Sequence, residues 1–251
     1  MFVPHVFVDR ELEPGAVAPL DADDAHHLQR VLRRRAGDPV VAVTPGGRRW
    51  LGRLRPGTPP RVEAREPLPS SEPPLAITLG QGLPKGPKIE EVIRHGTEVG
   101  ITRFAPVQAA RSVSRPDAQG ADQRRQRWQR IAREAARQAQ RSAVPQVDAP
   151  RPLDRLLAEE AWDLILMPWE EEEARGLWAE LEAVARAWGR PATGRRVLIL
   201  VGPEGGWEAW EVEAARRAGA RVVTLGPRIL RTETAGVLVA GLVLHVLGDL
   251  G

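Results

Sequence analysis

Residues 196–247 read RVLILVGPEGGWEAWEVEAARRAGARVVTLGPRILRTETAGVLVAGLVLHVL. Two short apolar runs, residues 197–201 and 222–225, each end in a Gly-Pro step, Gly202-Pro203 and Gly226-Pro227. Each is followed by a loop and then a helical pattern. Continuous apolar runs of this length that stop at Gly and Pro predict buried parallel strands alternating with helices. In an open α/β sheet, ligands bind beyond the carboxyl ends of the strands. Loops 202–207 and 226–234 are therefore the predicted ligand loops. The first offers close backbone approach, exposed N–H groups and the Glu204 carboxylate. The second offers Arg228 and Arg231, two threonine hydroxyls, Glu233, and Thr232 as N-cap of the final helix. This equipment suits a nucleoside-like ligand and supplies no Ser or Cys nucleophile. Either loop alone reads equally as an ordinary strand-to-helix turn; two at equivalent places in consecutive units favour the ligand.

GPEGGW at 202–207 with LGPRILRTETA at 225–235 resembles the signature of the ribosomal RNA small subunit methyltransferase E family, 16S rRNA uridine-N3 methyltransferases of the SPOUT superfamily. The resemblance implies an S-adenosylmethionine (SAM) site built from Leu200, Gly202, Pro203, Gly205, Gly206, Leu225, Gly226, Ile229, Leu230, Arg231, Thr234 and Ala235. It implies an α/β fold whose C-terminal SPOUT-type parallel sheet carries a trefoil knot. Knots are nearly absent among folds, so the knot rests on the resemblance alone. It further implies a small N-terminal PUA-like β-barrel, and a homodimer formed through the C-terminal domain. The sequence departs locally at Trp207 and in its Arg- and Ala-rich background, and neither change touches the motif glycines.

A chain of 251 residues accommodates one large or two modest domains. It has no Cys, which excludes disulfides and thiolate metal sites. No apolar run approaches the roughly 20 residues of a membrane span, and residues 1–15 lack the pattern of a secretory signal. The expectation is a cytoplasmic protein. The formal net charge is only +3, so the clustering of charge, not its sum, decides whether the chain binds nucleic acid.

Residues 1–68 read as a small β-rich domain, with short strands near 2–8, 40–43, 50–54 and 61–64 and a turn at Pro45-Gly46-Gly47. Between the first two strands, residues 21–35 (DADDAHHLQRVLRRR) predict a helix with acids in its first turn and bases in its last. His27, Leu28, Val31 and Leu32 are its expected inward face. His26-His27 is not a metal pair, because adjacent residues do not share a helix face and no third ligand is evident. Arg30, Arg33 and Arg34, with Arg35, read as a phosphate-contacting cluster or as a solvated helix end. RVLR at 30–33 and the preceding His27 match the family pattern, which tilts the reading toward RNA.

Residues 66–74 (EPLPSSEPP) read as a semi-rigid linker, and residues 74–251 as the methyltransferase domain. Residues 75–79 predict a buried strand, and 89–100 a helix with Ile89, Val92, Ile93 and Val99 as its stripe. The intervening loop holds Lys85 and Lys88, the only lysines in the chain. A chain that otherwise uses Arg has placed both there, which suggests a need for a compact ammonium. The loop is neither a P-loop nor a dinucleotide fingerprint, but Lys85-Gly86-Pro87-Lys88 fits the family's basic-Gly-x-Lys element. Arg111 also matches the family, as does W-Q-R-I-A-x-E-A at 128–135. That last stretch lies in a helix expected over 121–141. Its buried face is Trp128, Ile131, Ala132, Ala135, Ala136 and Ala139. Arg124, Arg130 and Arg133 belong to a run of seven arginines there, offset by two acids, and predict an RNA-facing surface.

Residues 144–152 read as a second linker. Residues 163–167 predict a strand ending at Pro168, so the carboxyl-end rule adds Met167 to the cofactor set; Met is also a common gap-filler of cores. The acidic run 170–173 is expected to be solvated and away from RNA. Helices are expected over 177–188 and 234–247, the last apolar nearly all round, which marks a buried or interfacial helix.

Methylating a ring nitrogen needs positioning, exclusion of water and electrostatic support. Uridine N3 must also lose a proton. Arg231 is the expected support for the uracil anion, with Glu233 or Glu204 as base or orienter; loop bracing is the alternative role for both carboxylates. Three other readings stand beside this one. A non-catalytic RNA-binding protein leaves the paired Gly-Pro loops idle. A dinucleotide oxidoreductase lacks its fingerprint. A SPOUT enzyme acting on a ribose hydroxyl or on tRNA fits the long double motif less well. The expected partner is 16S rRNA of the small subunit, with no membrane and no metal.

Overall fold

The computed structural model describes residues 3–113, 117–159 and 162–251. The chain divides into two compact units, one of residues 1–72 and 134–144, the other of residues 73–133 and 145–251.

In the first unit a curled five-stranded sheet has the order β1-β3-β4-β5-β2. β1 (His5–Phe7) pairs parallel with β3 (Pro39–Val43), and β3, β4 (Arg49–Arg55), β5 (Arg61–Leu68) and β2 (Val17–Pro19) pair antiparallel in turn. Alternation along the strands sends Val6, Val40, Ala42, Trp50, Leu54, Val62 and Ala64 into one core with Leu12, Leu20 and Leu28. Phe7, Val41 and Val43 face the other way and are covered by Ala136 and Val144.

Three sequence expectations change in this unit. The helix expected over 21–35 is α1 (Ala22–His26), capped by the Asp21 carboxylate, followed by a π-helical turn at His27–Val31. The wider turn rotates the stripe, so Leu28 is buried while Val31 is exposed. Arg33 has a positive φ of 51° and ends helical geometry there. β5 runs on to Leu68, because residues 66–68 pair with residues 49–51 across a bulge instead of acting as linker. β2 has no counterpart among the expected strands; three residues with one buried side chain give too little periodicity to read.

The second unit is a six-stranded sheet, order β11-β9-β10-β6-β7-β8, in which every pairing is parallel. Its elements follow as β6 (Ala76–Gly82), α2 (Lys88–Val99), β7 (Arg103–Val107), α3 (Ala118–Gln138), β8 (Gln146–Val147), α4 (Leu153–Ala158), β9 (Leu164–Pro168), α5 (Leu177–Trp188), β10 (Arg196–Val201), α6 (Ala209–Arg217), β11 (Arg221–Val223) and α7 (Thr232–Leu247). α3 begins in this unit, and its residues from Glu134 onward count with the first. Central β10 lies between β9 and β6, and Val197, Leu198, Ile199 and Leu200 are fully buried. Burial of such a side chain contributes about 1.5–3 kcal/mol. α7 packs on α2, α5, β10 and β6, which accounts for its apolar composition.

Two boundaries shift here as well. The 144–152 linker contains edge strand β8, paired with β7 through Gln146 and Val147. The N-cap of α7 is Arg231, not Thr232, and it makes no side-chain cap. Thr232 is the first helical residue, and its hydroxyl is used elsewhere.

Candidate functional site

Chain order runs β6, β7, β8 toward one edge and then crosses to β9, β10 and β11 on the other side. The carboxyl ends of β9, β10 and β11 open into a cleft of about 980 Å³. Its walls are the loop after β9 (Pro168, Trp169, Glu170, Glu172, Glu173), the loop after β10 (Gly202, Pro203, Glu204, Gly206, Trp207), and the stretch from Thr224 into α7. This is the position a parallel sheet reserves for ligands.

The first Gly-Pro loop folds tightly on itself. Gly206 has φ +70°, and a Cβ on Gly202 would lie 3.1 Å from the Gly206 carbonyl carbon. Its outer side is braced by Arg111, which donates to the Gly205 carbonyl at 2.7 Å and to Glu208 at 2.8 Å. Glu208 and buried Glu211 then form a capping box at the start of α6, and Glu211 also accepts the Ala110 N–H at 3.0 Å. The second loop is tied at its root, where Thr224 Oγ1 accepts the Gly226 N–H at 3.2 Å.

Glu204 reaches away from its own loop to the one after β6. It accepts from the Lys85 backbone N–H at 3.1 Å and from Lys88 Nζ at 2.9 Å, and Lys88 Nζ also stands 3.7 Å from Glu233. Burial alone would raise the Glu204 carboxyl; the Lys88 ammonium and the N–H groups of Glu204 and Lys85 outweigh it and hold the group below the ordinary carboxylate range. The hydrogen bond that Lys88 donates to Glu204 in turn raises the Lys88 ammonium. Glu233 has a buried Oε2 with no hydrogen-bond partner.

Of the residues expected at the cofactor, the structure gathers Gly202, Pro203, Gly206, Leu225, Gly226, Ile229, Leu230, Arg231 and Ala235 around the cleft, together with Glu204 and Glu233. Met167, Leu200, Gly205 and Thr234 are not in its wall. Met167 and Leu200 are fully buried core residues on β9 and β10, Gly205 packs on Arg111, and Thr234 is exposed on α7. Sequence reading missed Trp169, Glu170, Glu172, Glu173 and Gln81. The carboxyl-end rule that selected Met167 would have found the first four had it been carried past the strand. The acidic run is largely exposed, as expected, and three of its members, Glu170, Glu172 and Glu173, also line the cleft, with Glu172 accepting from Arg216 at 3.4 Å.

Of the residues expected at RNA, Arg30 and Arg33 are exposed and Arg34 is half-buried around the π-helical turn of the first unit. Lys85, Arg124 and Arg130 are exposed in the second, with Arg133 half-buried. Lys88, half-buried, and Arg111, exposed, also brace the cleft loops. Among the described residues no group of His, Asp or Glu is placed to hold a metal ion, and no helix is long and apolar enough to cross a membrane.

The cleft fits SAM on its own chemistry. Glu170, Glu172, Glu173, Glu204 and Glu233 outnumber Lys88, Arg228 and Arg231 along its wall, and Glu233 keeps a buried oxygen without a hydrogen-bond donor. A cationic sulfonium and ammonium suit that balance, while Val201, Pro203, Leu225, Pro227, Leu230 and Ala235 offer apolar surface to an adenine ring.

Comparison with known proteins agrees with this geometry. The family model described as RNA methyltransferase domain matches residues 71–244, and that described as RNA methyltransferase PUA domain matches residues 20–66. The chain is 34% identical over 230 residues to the ribosomal RNA small subunit methyltransferase E of Bacillus subtilis, covering 90% of this chain and 89% of that protein. It is 34% identical over 247 residues to the enzyme of the same name from Mycobacterium bovis, covering 94% and 89%. The crystal structure of the Neisseria gonorrhoeae ribosomal RNA small subunit methyltransferase E bound to S-adenosyl methionine matches with a TM-score of 0.85 and 27% identity, covering all of both chains. With the double Gly-Pro motif forming one cleft, and both units matched in order, the chain belongs to the ribosomal RNA small subunit methyltransferase E family.

Proposed function

We propose that the chain transfers a methyl group to N3 of a uridine in 16S rRNA, with Glu233 receiving the N3 proton and Arg231 supporting the uracil anion. Family membership makes it a SAM-dependent rRNA methyltransferase of the small subunit. Bound SAM supplies an electrophilic methyl group on a sulfonium. The chain's own residues hold the acceptor ring in line, exclude water and manage one proton. The observation that carries the assignment of roles is the unequal state of the two cleft carboxylates. Glu204 is matched by an ammonium and a backbone N–H, and so serves as a brace between loops. Glu233, two residues after Arg231 at the start of α7, has its Oε2 3.7 Å from that same ammonium but accepting no hydrogen bond, and so is the group able to accept a proton. A guanidinium against O2 or O4 stabilises the charge that develops as N3 is deprotonated.

RNA is held in this reading by Arg30, Arg33 and Arg34 in the first unit and by Lys85, Arg124, Arg130 and Arg133 in the second. The trefoil threading and a homodimer through the C-terminal domain belong to the same proposal. The dimer is supported by Leu238, an exposed side chain on the otherwise largely buried α7. Its site of action is the cytoplasm, where its substrate is. The test is methylation of 30S particles from a strain lacking the modification, with the product nucleoside identified by mass spectrometry. We expect 3-methyluridine, lost in Glu233→Gln; a 2′-O-methyl product, or equal activity of the variant across pH, overturns the target atom or the base respectively. Sedimentation of Leu238→Glu should show a monomer where the wild type is a dimer.

A further inference from the structure

Gln81, near the end of β6, is 1% exposed and does not line the cleft. Its Nε2 donates to Thr232 Oγ1 at 2.8 Å and stands 3.2 Å from the Gly82 carbonyl and 3.4 Å from the Gly202 carbonyl. Thr232 Oγ1 donates in turn to the Gly202 carbonyl at 2.5 Å. The roles are fixed by chemistry. Two carbonyls can only accept, so the amide nitrogen faces them, and a hydroxyl that gives its proton to Gly202 can only accept from Gln81. The result is a directional chain from β6 through α7 to the start of the first Gly-Pro loop.

Its position matters because Arg111 and the Glu204 carboxylate brace the far part of that loop, while its own backbone hydrogen bonds are few. Pro203 has no N–H, and within residues 202–206 the backbone makes one internal hydrogen bond, Gly206 N–H to the Pro203 carbonyl at 2.9 Å. Gly202, Gly205 and Gly206 add conformational freedom. A loop of this kind loses entropy when a ligand orders it, unless the fold has ordered it beforehand. Gly202 opens the first loop, and Thr232 closes the second by starting α7. One buried amide therefore ties together two of the three walls of the cleft.

We infer that Gln81 and Thr232 are positioning residues that preorganise the two cofactor loops, acting through the Gly202 carbonyl. This rests on the reading of the cleft as the SAM site. The experiment is calorimetric titration of the full-length protein with SAM, for the wild type, Gln81→Leu, Thr232→Val, their double variant and Thr232→Ser, with thermal melting and steady-state kinetics on each. Gln81→Leu and Thr232→Val should each weaken SAM binding by roughly tenfold or more. The double variant should be little worse than either, because one chain is broken in all three. Thr232→Ser, which keeps the hydroxyl, should bind within about threefold of the wild type, and kcat at saturating SAM should fall far less than the affinity for SAM. A lower melting temperature with unchanged SAM affinity, or a Ser variant as weak as Val, overturns the inference and leaves a merely structural contact. Gln81→Asn shortens the side chain and keeps the amide; it should show the same loss if the apolar variants do not fold. A wild type that binds no SAM is a different failure, which removes the reading of the cleft itself.

Discussion

His5, in β1, is 2% exposed, and its Nε2 lies 3.0 Å from Arg49 Nη2. A guanidinium only donates, so Nε2 accepts and the ring is neutral with its proton on Nδ1. Burial first, and then the Arg49 charge, push the imidazole from 6.5 down to about 4. Between these values the unfolded chain binds a proton that the folded one refuses. Stability therefore falls as pH drops from 6.5 toward 4, and above 6.5 it is insensitive to this group. Allowing for solvent screening, the loss is on the order of 1–2 kcal/mol. Urea unfolding at pH 7 and pH 4.5 checks it: His5→Gln should lose less stability across that interval than the wild type, and equal losses refute the assignment. The Glu204 carboxyl, held low by Lys88 and the loop N–H groups against the opposing effect of burial, is ionised throughout the neutral range. Glu204→Gln should keep the shape of the pH–rate profile between about pH 6 and 9 and weaken SAM binding by roughly three- to tenfold. Loss of the rising limb in this variant would move the proton-accepting role from Glu233 to Glu204.

Elements meet at glycines near the cleft. A Cβ at Gly82, ending β6, would lie 2.5 Å from Pro203 Cδ and 2.6 Å from the Pro203 nitrogen; one at Gly236, in α7, would lie 3.0 Å from the Leu79 methyls. Backbone cannot yield where a leucine side chain can. Gly82→Ala should cost about 2–3 kcal/mol and most of the SAM affinity, while Gly236→Ala should stay within about 1 kcal/mol, helped by its better helix propensity. Denaturant unfolding and calorimetry separate the two, and equal penalties contradict the packing argument. At this scale the second unit was well legible. Buried strands at 197–201 and 163–167 and helices at 89–100 and 177–188 follow from continuous apolar runs and helical stripes that tertiary structure reinforces. In the first unit the start of α1 was legible but its length and inward face were not, because the Asp24 carboxylate accepts the Phe7 N–H at 3.0 Å and the helix gives way to a π-helical turn just beyond it. The cleft was half legible. Gly-Pro steps identified two walls, but periodicity locates the end of a strand without saying which side chain turns toward the ligand. Met167 was chosen where Trp169 and Glu170 stand. Gln81 was invisible, since its partner is 151 residues away in the chain.

For the whole molecule, 36 basic and 33 acidic residues nearly cancel, so any hold on RNA comes from local clusters and must be sensitive to salt. Replacing Arg30, Arg33 and Arg34 together by Ala should reduce the slope of log affinity against log salt for 16S rRNA by about two, with the SAM affinity unaltered; an unchanged slope removes these arginines from the interface. The chain that joins Gln81 to Thr232 has a consequence in time as well as in space. A ribosome making this protein finishes β6 long before it reaches α7. Until then the buried amide has no hydroxyl to hold, and β6, β10 and α2 wait for the helix that packs on them. The cleft is therefore incomplete until α7 has been made. A half-made copy, still attached to the machine whose RNA its family modifies, has no finished place to carry a methyl donor.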